Sequence, residues 1–295
     1  MKFYFIQAHR IHHSSPNMIL LGVIEVLKDR GYDVNHDYAD DILVNISELD
    51  SLEKFDLFIL TSHTEVSLSL WEILYEQGML LLNPYPAVIN AHDKILTTKK
   101  LQSANIPVPR TWGTGNTSRI YELIETENIN LVIKPYHGQY GANVWFVDSL
   151  VKLENVSLPR EIPILAQEWI PNKNGEYTVD SEVLKTYCIG NKLFTLRKQY
   201  SKGHCISQGR LCSVDDEIFE IAINCGQTLG LKIYGIDIIE SPNGPFVIDV
   251  NSFPSFKGIP KVDFILADFI ESYVQLSKMN KENLELTSDL TAYLH

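Results

Sequence analysis

Two acidic residues and one amide near the end of the chain have the types and spacing of metal ligands. Asp249 and Asn251 stand two residues apart in the largely apolar run 245–251 (PFVIDVN). Residues two apart in a strand project from the same face. Asp237 lies in a second apolar run, 234–241 (YGIDIIES), and a short Pro-Asn-Gly turn makes the two runs an antiparallel hairpin. The pattern predicts two carboxylates and an amide oxygen on adjacent strands.

The chemistry of these side chains favours Mg²⁺. They offer hard oxygen atoms, and no His or Cys is nearby in the sequence, so zinc is disfavoured. A buried carboxylate needs a cation, and pairing with Lys or Arg is the alternative interpretation. Mg²⁺ held by one or two carboxylates usually shares its ligands with substrate phosphates. A phosphate-binding segment is therefore expected elsewhere in the chain.

A lysine followed by a glycine-bearing loop has the character of such a segment. In residues 131–147 (LVIKPYHGQYGANVWFV), Lys134 ends an apolar strand, and Gly138 and Gly141 lie in the loop that follows. Glycine lets backbone N–H groups approach phosphate oxygens closely. A plain β-hairpin fits the same pattern, and the spacing matches neither a P-loop nor a dinucleotide fingerprint.

The first part of the chain has the elements of a small α/β domain. Over residues 1–90, strands and helices alternate as is typical of an open parallel sheet. The predicted strands are 2–8, 32–36, 55–62 and 79–84, and the predicted helices are 17–30 and 65–77.

Beyond residue 90 the pattern changes to hairpins and isolated helices. The predicted helices are 91–105, 117–128, 215–230 and 262–279, and the predicted strands are 131–136, 143–147, 164–170, 182–190, 192–200, 234–241 and 245–251. The last helix is amphipathic, so it packs either on its own domain or on a second copy, as in a homodimer.

The composition limits the class of protein. The chain has 295 residues, 45% hydrophobic and 21% charged, which is ordinary for a globular protein, and a net charge of -12. This charge argues against nucleic acid or an anionic membrane as partner. No apolar run approaches the ~18–20 residues of a membrane helix, and the N-terminus lacks a signal-peptide core. Four cysteines without metal-site spacing favour reduced thiols and a cytoplasmic location.

Four motifs, in order, resemble the ATP-grasp enzymes over nearly the whole chain. They are 83–109 (NPYPAVINAHDKILTTKKLQSANIPVP), 131–144 (LVIKPYHGQYGANV), 165–170 (LAQEWI) and 234–259 (YGIDIIESPNGPFVIDVNSFPSFKGI). The resemblance implies an α/β (α+β) fold in which two ATP-grasp subdomains sandwich ATP. It divides the chain into an N-terminal domain, 1–90, a subdomain with the phosphate-covering loop, 91–170, and a C-terminal subdomain with the metal site, 171–295.

The same resemblance implies roles for residues that bind ATP and metal. Two lysines would hold the α- and β-phosphates, a loop would cover them, a hinge would meet adenine, and a glutamate would bind ribose. The lysines are Lys94 and Lys134, and the loop residues are His137, Gly138 and Gly141. The hinge residues are Gln167, Glu168, Trp169 and Ile170, and the ribose-binding glutamate is Glu176. Asp237, Asp249 and Asn251 would bind two Mg²⁺ ions, with Mn²⁺ as a substitute.

Catalytic and substrate-side residues are also implied. Arg197 would reach the γ-phosphate, and Lys185 would serve a phosphate or a carboxylate. Candidate substrate-side residues are Arg10, His12, Arg210 and Lys257.

The motifs resemble two subgroups with different chemistry. The loop HGQYGANVWFV is similar to RimK-type ligases, which activate a carboxylate as an acyl phosphate for attack by an amine. This chain departs from them in having Asp249 in place of the usual Glu and Lys185 in place of Arg, and in lacking an Arg-Ser-Asn signature. The segments LKTYCIG and VIDVNSFPSFKGI are similar to inositol trisphosphate kinases. We predict the ADP-forming ligase, acting on amino acids, peptides or other small molecules; a kinase and a non-catalytic nucleotide-binding protein are the alternatives.

Overall fold

The computed structural model describes residues 1–8, 17–39, 41–43, 45, 54–136, 144–149, 153 and 163–292, with side chains of the last helix described to residue 280. The chain forms two compact units, one of residues 1–85 and 260–295 and one of residues 86–259.

The elements alternate between helix and strand at first and are mostly strands later. In chain order they are β1 Lys2–Gln7, α1 Met18–Asp29, β2 Asp33–Tyr38, β3 Leu57–Leu60, α2 Glu65–Glu76, β4 Leu81–Leu82, α3 Tyr85–His92, α4 Lys94–Ser103, β5 Thr111–Thr114, α5 Ser118–Glu127, β6 Leu131–Pro135, β7 Trp145–Val147, β8 Ile164–Glu168, β9 Asp180–Ile189, β10 Lys192–Ser201, β11 His204–Cys205, β12 Arg210–Cys212, α6 Asp216–Leu229, β13 Ile233–Ser241, β14 Gly244–Asn251 and α7 Val262–Ala292.

The first unit contains a four-stranded parallel sheet in the order β2-β1-β3-β4. All four residues of β3 are buried, as is typical of a parallel strand covered on both faces. This sheet is the predicted one: β1, β3 and β4 are shorter than the predicted strands, whereas β2 extends two residues further, to Tyr38.

Helix α7 belongs to the first unit. Its buried residues Leu266, Ile270 and Val274 recur every four positions and form one apolar face. On α7, Asp268 and Glu271 accept hydrogen bonds from Arg30, at 2.8 and 2.9 Å. The helix therefore packs on its own unit, whereas the sequence-based partition assigned it to the subdomain 171–295.

The second unit contains two antiparallel sheets. The smaller has the order β5-β8-β6-β7, and α5 covers it with Ile120 and Ile124 against Leu131, Ile133 and Ala166. Strand β5 has the sequence TWGT, which is too short for a clear alternation, and it was not predicted.

The larger sheet has the order β11-β10-β9-β13-β14, with β12 also paired to β10. Helix α6 buries Ile218, Ala222 and Cys225 against Leu184 and Ile236 of the sheet. One face of this sheet is thus an apolar core, and the other face is available for polar side chains.

Candidate nucleotide and metal site

The hairpin of β13 and β14 brings the predicted metal ligands together. Asp237 lies directly opposite Asp249, so both carboxylates project from the same face of the sheet. Asn251, two residues further along β14, donates from Nδ2 to Asp249 Oδ2 at 3.2 Å. The register shifts just beyond Asp237, which marks a β-bulge at this point of the hairpin.

Each carboxylate is paired with a lysine from another element. Lys94 Nζ lies 2.5 Å from Asp249 Oδ1, and Lys185 Nζ lies 2.7 and 2.9 Å from Asp237 Oδ1 and Oδ2. Only Oδ2 of Asp237 has hydrogen-bond geometry; Oδ1 is buried and accepts no hydrogen bond within the described part of the chain. Both oxygens of Asp237 therefore lie in contact with the Lys185 ammonium group.

The charges of this cluster shift the pKa values of its members. Burial opposes the charge of Asp249, but Lys94 and Lys134 outweigh it and lower the pKa of that carboxyl to about 2. Burial, with the neighbouring charge of Lys94, lowers the pKa of Lys134 to about 8. Burial also disfavours charge on Lys185, but Asp237 outweighs it and raises that pKa above its ordinary value. Lys134 is therefore the group of these that loses its proton nearest to neutral pH.

A partly open cleft lies beside the paired charges. Lys94, Lys134, Gln167 and Asp249 contribute its polar wall, and Leu101, Val108, Leu165 and Val247 contribute apolar surface. Lys134 Nζ donates to the backbone carbonyl of Ile248 at 3.1 Å. A cleft that combines apolar surface with a few convergent polar groups is typical of a small-molecule binding site.

The position of Lys94 depends on a helix boundary. The predicted helix 91–105 is broken at Asp93, which accepts hydrogen bonds from the backbone N–H groups of Ile95 and Leu96 and so caps α4. The Tyr136 hydroxyl also binds the Asp93 carboxylate, and burial together with this bond raises the pKa of Tyr136 to about 12. Lys94 is consequently the first residue of α4, held next to the end of strand β6.

The residues predicted to meet adenine lie at and after the end of β8. Gln167 is 5% exposed, lines the cleft and donates to Thr111 Oγ1 at 3.1 Å. Glu168 is ion-paired with Arg110, and Trp169 packs against Phe146. Ile170 is buried. In the described part of the chain, Gln167 is the member of this set that lines the cleft.

The predicted ribose ligand, Glu176, lies in an exposed loop. Its carboxylate accepts a hydrogen bond from Asn172 Nδ2 at 3.0 Å, and its backbone N–H donates to Asn172 Oδ1. The loop is closed on itself, and its role with ribose stays a prediction.

The structure does not bring Arg197 and Arg210 to the carboxylates. Lys185 pairs with Leu196 and Arg197 pairs with Leu184 and with Arg210, so both arginines project from the face opposite to Lys185. There Arg197 is ion-paired with Glu182 and Glu240, each at 2.6 Å, and these partners raise its pKa. The predicted contact between Arg197 and the γ-phosphate is not supported by this register.

Lys198 is the cation that the register places on the face of Lys185. It is 6% exposed and donates to Tyr187 Oη at 3.1 Å and to the Lys257 carbonyl at 3.4 Å. Among the residues that the structure describes, no carboxylate lies within ion-pair distance of it. The sequence analysis placed Arg197 and not Lys198 among the predicted catalytic residues, although alternation from Lys185 across the predicted hairpin places Lys198 on the face of Lys185.

The remaining predicted residues are placed as follows. Lys257 has an exposed side chain and contributes its carbonyl to Lys198. The substrate-side candidates Arg10 and His12 and the loop residues His137, Gly138 and Gly141 lie outside the described residues.

The donor set fits magnesium. Over the described ranges there is no cluster of three or more His, Cys, Asp or Glu side chains able to hold a metal. Asp237, Asp249 and Asn251 supply two carboxylates and an amide, a set of hard oxygens that needs further ligands such as phosphates to complete a magnesium shell. The buried Oδ1 of Asp237 without a hydrogen bond is consistent with this use.

Across the residues with described structure, no helix has the length and apolar character required to cross a membrane.

Comparison with known proteins identifies the class. Residues 91–270 match the RimK-like ATP-grasp domain. A probable alpha-L-glutamate ligase of Vibrio atlanticus (strain LGP32) is 28% identical over 210 residues, covering 67% of this chain and 68% of the relative. The chain belongs to the RimK-like ATP-grasp family, and the predicted class of ATP-dependent, ADP-forming carboxylate–amine ligase is confirmed.

Solved structures confirm the ATP-grasp fold. A RimK domain ATP-grasp protein from Sphaerobacter thermophilus DSM 20745 superposes with a TM-score of 0.69 at 19% identity, over 91% of this chain and 99% of that one. The ATP-grasp ligase PsnB, in complex with a minimal precursor, Mg and ADP, superposes with a TM-score of 0.66 at 17% identity, over 93% of this chain and 98% of that one.

Proposed function

We propose that this chain uses ATP to join a carboxylic acid to an amine of an amino acid or peptide. The observation that carries the proposal is the cluster of Lys94, Lys185, Asp237 and Asp249 beside the cleft. Carboxylates opposed on neighbouring strands suit a metal, and lysines in contact with them suit the phosphates that such a metal bridges. The names of similar proteins support this substrate class: they include a probable alpha-L-glutamate ligase and a macrocyclase bound with a precursor peptide.

In this proposal the cleft binds ATP. Lys94 and Lys134 bind the phosphates as point charges, and Gln167 lies where the cleft wall meets the base. The apolar surface of Leu101, Val108 and Leu165 covers the ring system. Roles of Glu168, Trp169 and Ile170 toward adenine and of Glu176 toward ribose remain part of the proposal.

Asp237, Asp249 and Asn251 hold the metal. Two Mg²⁺ ions, or Mn²⁺ in their place, would neutralise charge on the phosphates during transfer. Because the three side chains project from the same face of one hairpin, their oxygen atoms would reach the metal without rearrangement of the backbone.

Lys185 and Lys198 act on the transferred phosphoryl group. The substrate carboxylate oxygen bonds to the γ-phosphorus as ADP leaves, and the amine nitrogen then bonds to the acyl carbon as phosphate leaves, releasing one proton to solvent. Negative charge is concentrated near the phosphoryl group in both steps, and buried ammonium groups stabilise it. We assign Lys198 the role first expected of Arg197, because Lys198 shares the face of Lys185.

Location and partners complete the proposal. The four cysteines are free thiols, which is consistent with a reducing cytoplasm. The net charge of -12 supports small molecules or peptides rather than nucleic acid or membrane as partners. The apolar face of α7 is already buried within its own unit, so this face gives no support to a homodimer.

The experiment is release of ADP and phosphate from Mg·ATP with pooled amino acids and short peptides, and separately with inositol phosphates. We expect ADP and inorganic phosphate in equal amounts, dependent on an acid and an amine together. ADP without inorganic phosphate, together with a phosphorylated polyol, would identify a kinase and contradict the proposal.

A further inference from the structure

The charged cluster at the cleft carries more positive than negative charge. It contains the ammonium groups of Lys94, Lys134 and Lys185 and the carboxylates of Asp237 and Asp249, which leaves one excess positive charge. Like charges within a few ångströms repel strongly where water is largely excluded. As it stands, the cluster attracts an anion and opposes the approach of a free divalent cation.

The carboxylate oxygens are already in contact with donors. Asp249 Oδ1 is bound by Lys94 and Oδ2 by Asn251, and Lys185 is within 2.9 Å of both oxygens of Asp237. A metal that used both carboxylates would face two ammonium groups at contact distance. The lysines must therefore move away before the oxygens serve a metal.

Lys134 differs from the other two lysines. Its hydrogen-bond acceptor is the neutral carbonyl of Ile248, at 3.1 Å, and burial disfavours its charge. An ammonium that is buried without a carboxylate contact gains most from an incoming phosphate, because no ion pair is broken. Lys134 is thus placed to make the first contact with a nucleotide, and Lys94 and Lys185 follow by exchanging a carboxylate for a phosphate.

We infer that Lys94 and Lys185 hold the metal site closed to divalent cations until the phosphates of a nucleotide draw their ammonium groups away. The inference rests on the proposed function, since it takes the same aspartates as metal ligands. Its consequence is positive coupling: nucleotide strengthens metal binding, and metal strengthens nucleotide binding by the same factor. The lysines then have two roles, as phosphate ligands and as competitors of the metal.

The test measures Mn²⁺ binding to the full-length chain in the absence of any nucleotide, from the electron paramagnetic resonance signal of free Mn²⁺. We expect weak binding to the unaltered protein. Lys94→Met and Lys185→Met each remove one competing charge, and each should bind Mn²⁺ at least about tenfold more tightly, which is the size of a typical coupling between sites. Lys99→Met, which removes an exposed charge elsewhere on α4, should leave Mn²⁺ binding unchanged.

Two double variants test whether the tighter Mn²⁺ binding depends on these carboxylates. Adding Asp249→Asn to Lys94→Met, or Asp237→Asn to Lys185→Met, should abolish the tighter binding. Each lysine–aspartate pair can be tested by itself, so one of them suffices if a variant of the other does not fold, as judged by its thermal unfolding. Mn²⁺ binding that is equally tight in the unaltered protein and in both lysine variants would overturn the inference.

Calorimetric titration of ADP, with and without Mn²⁺, distinguishes a failure of this inference from a failure of the proposed function. If ADP does not bind the unaltered protein, the proposed function fails, whatever the Mn²⁺ data show. If ADP binds but Mn²⁺ does not change its affinity, the coupling fails while the proposed function stands.

Discussion

Lys94 Nζ and Asp249 Oδ1 lie 2.5 Å apart although the two residues are separated by 155 positions in the sequence. The pair joins the first residue of α4 to strand β14 at the side of the cleft. The side chain that we propose binds phosphate is thus in direct contact with one that we propose binds the metal.

Replacing Asp249 with Ala should abolish turnover while the fold is kept. The change removes a carboxylate at the surface of the hairpin rather than a packed apolar group, and it leaves Lys94 and Lys134 close together without their shared counter-charge. We expect kcat to fall at least about a hundredfold, the range seen when one electrostatic contact to a transition state is lost. ADP release measures turnover, and thermal unfolding within a few degrees of the unaltered protein serves as the folding control.

Replacing Lys134 with Ala should weaken ATP binding by more than about tenfold, since a charge-assisted bond to phosphate is lost. Isothermal titration of ATP measures the effect. Lys99→Ala is a matched control, because Lys99 is an exposed lysine on α4 outside the cleft lining. Unchanged ATP affinity in Lys134→Ala would remove Lys134 from the phosphate site.

The affinity for nucleotide should depend on pH through Lys134. Its folded-state pKa is lowered to about 8, so the ammonium that binds phosphate is fully present well below pH 8 and is lost as the pH rises. ATP should bind more weakly at pH 9 than at pH 7. Lys134→Met should remove this pH dependence, and a profile that stays the same in the variant would assign it to another group.

Lys198 and Arg197 should respond differently to replacement by Met. Lys198 lies on the face of Lys185, so Lys198→Met should lower kcat by about a hundredfold or more with little change in the affinity for ATP. Arg197 holds Glu182 and Glu240 on the other face, so Arg197→Met should cost about 1 kcal/mol of stability and leave kcat within a few-fold. A large fall in kcat for Arg197→Met but not for Lys198→Met would assign the catalytic role to Arg197.

Gly226 on α6 should not tolerate alanine. A Cβ atom there would lie 2.3 Å from Tyr234 Oη, and that hydroxyl donates to the Ala222 carbonyl in the buried core. Gly226→Ala should destabilise the protein by about 1–3 kcal/mol, the usual cost of overpacking. Gly115→Ala is the control, since nothing lies within 4 Å of the position that its added methyl group would take. Denaturant unfolding of both variants measures the difference.

Local patterns were sufficient to predict that Asp237, Asp249 and Asn251 share one face of a hairpin, and to predict most of the framework. The two-residue spacing of Asp249 and Asn251 and the short turn before them fix a common face without knowledge of the rest of the chain. The contact of Lys94 with Asp249 has no local signal, because it depends on how distant elements pack. Its place in the site was accessible only through the resemblance to known enzymes.

The misplacement of Arg197 has a simple physical origin. A strand reverses the direction of its side chains at every residue, so two adjacent cations, Arg197 and Lys198, lie on opposite faces. The predicted two-residue turn between β9 and β10 pairs Ile189 with Lys192, and this register places Leu196 opposite Lys185. Strands β5 and β12, in contrast, are too short to give a periodic signal.

The two faces of the larger sheet in the second unit determine which property of the protein a substitution affects. Along β9 and β13, Leu184 and Ile236 pack into the core beneath α6, whereas their neighbours Lys185 and Asp237 project into the charged cluster. Substitutions at alternate positions of one strand therefore act on separate properties of the molecule. Changes at Leu184 and Ile236 alter the packing beneath α6, whereas changes at Lys185 and Asp237 alter the charges beside the cleft, so core packing and site chemistry are encoded at different positions of the same strands.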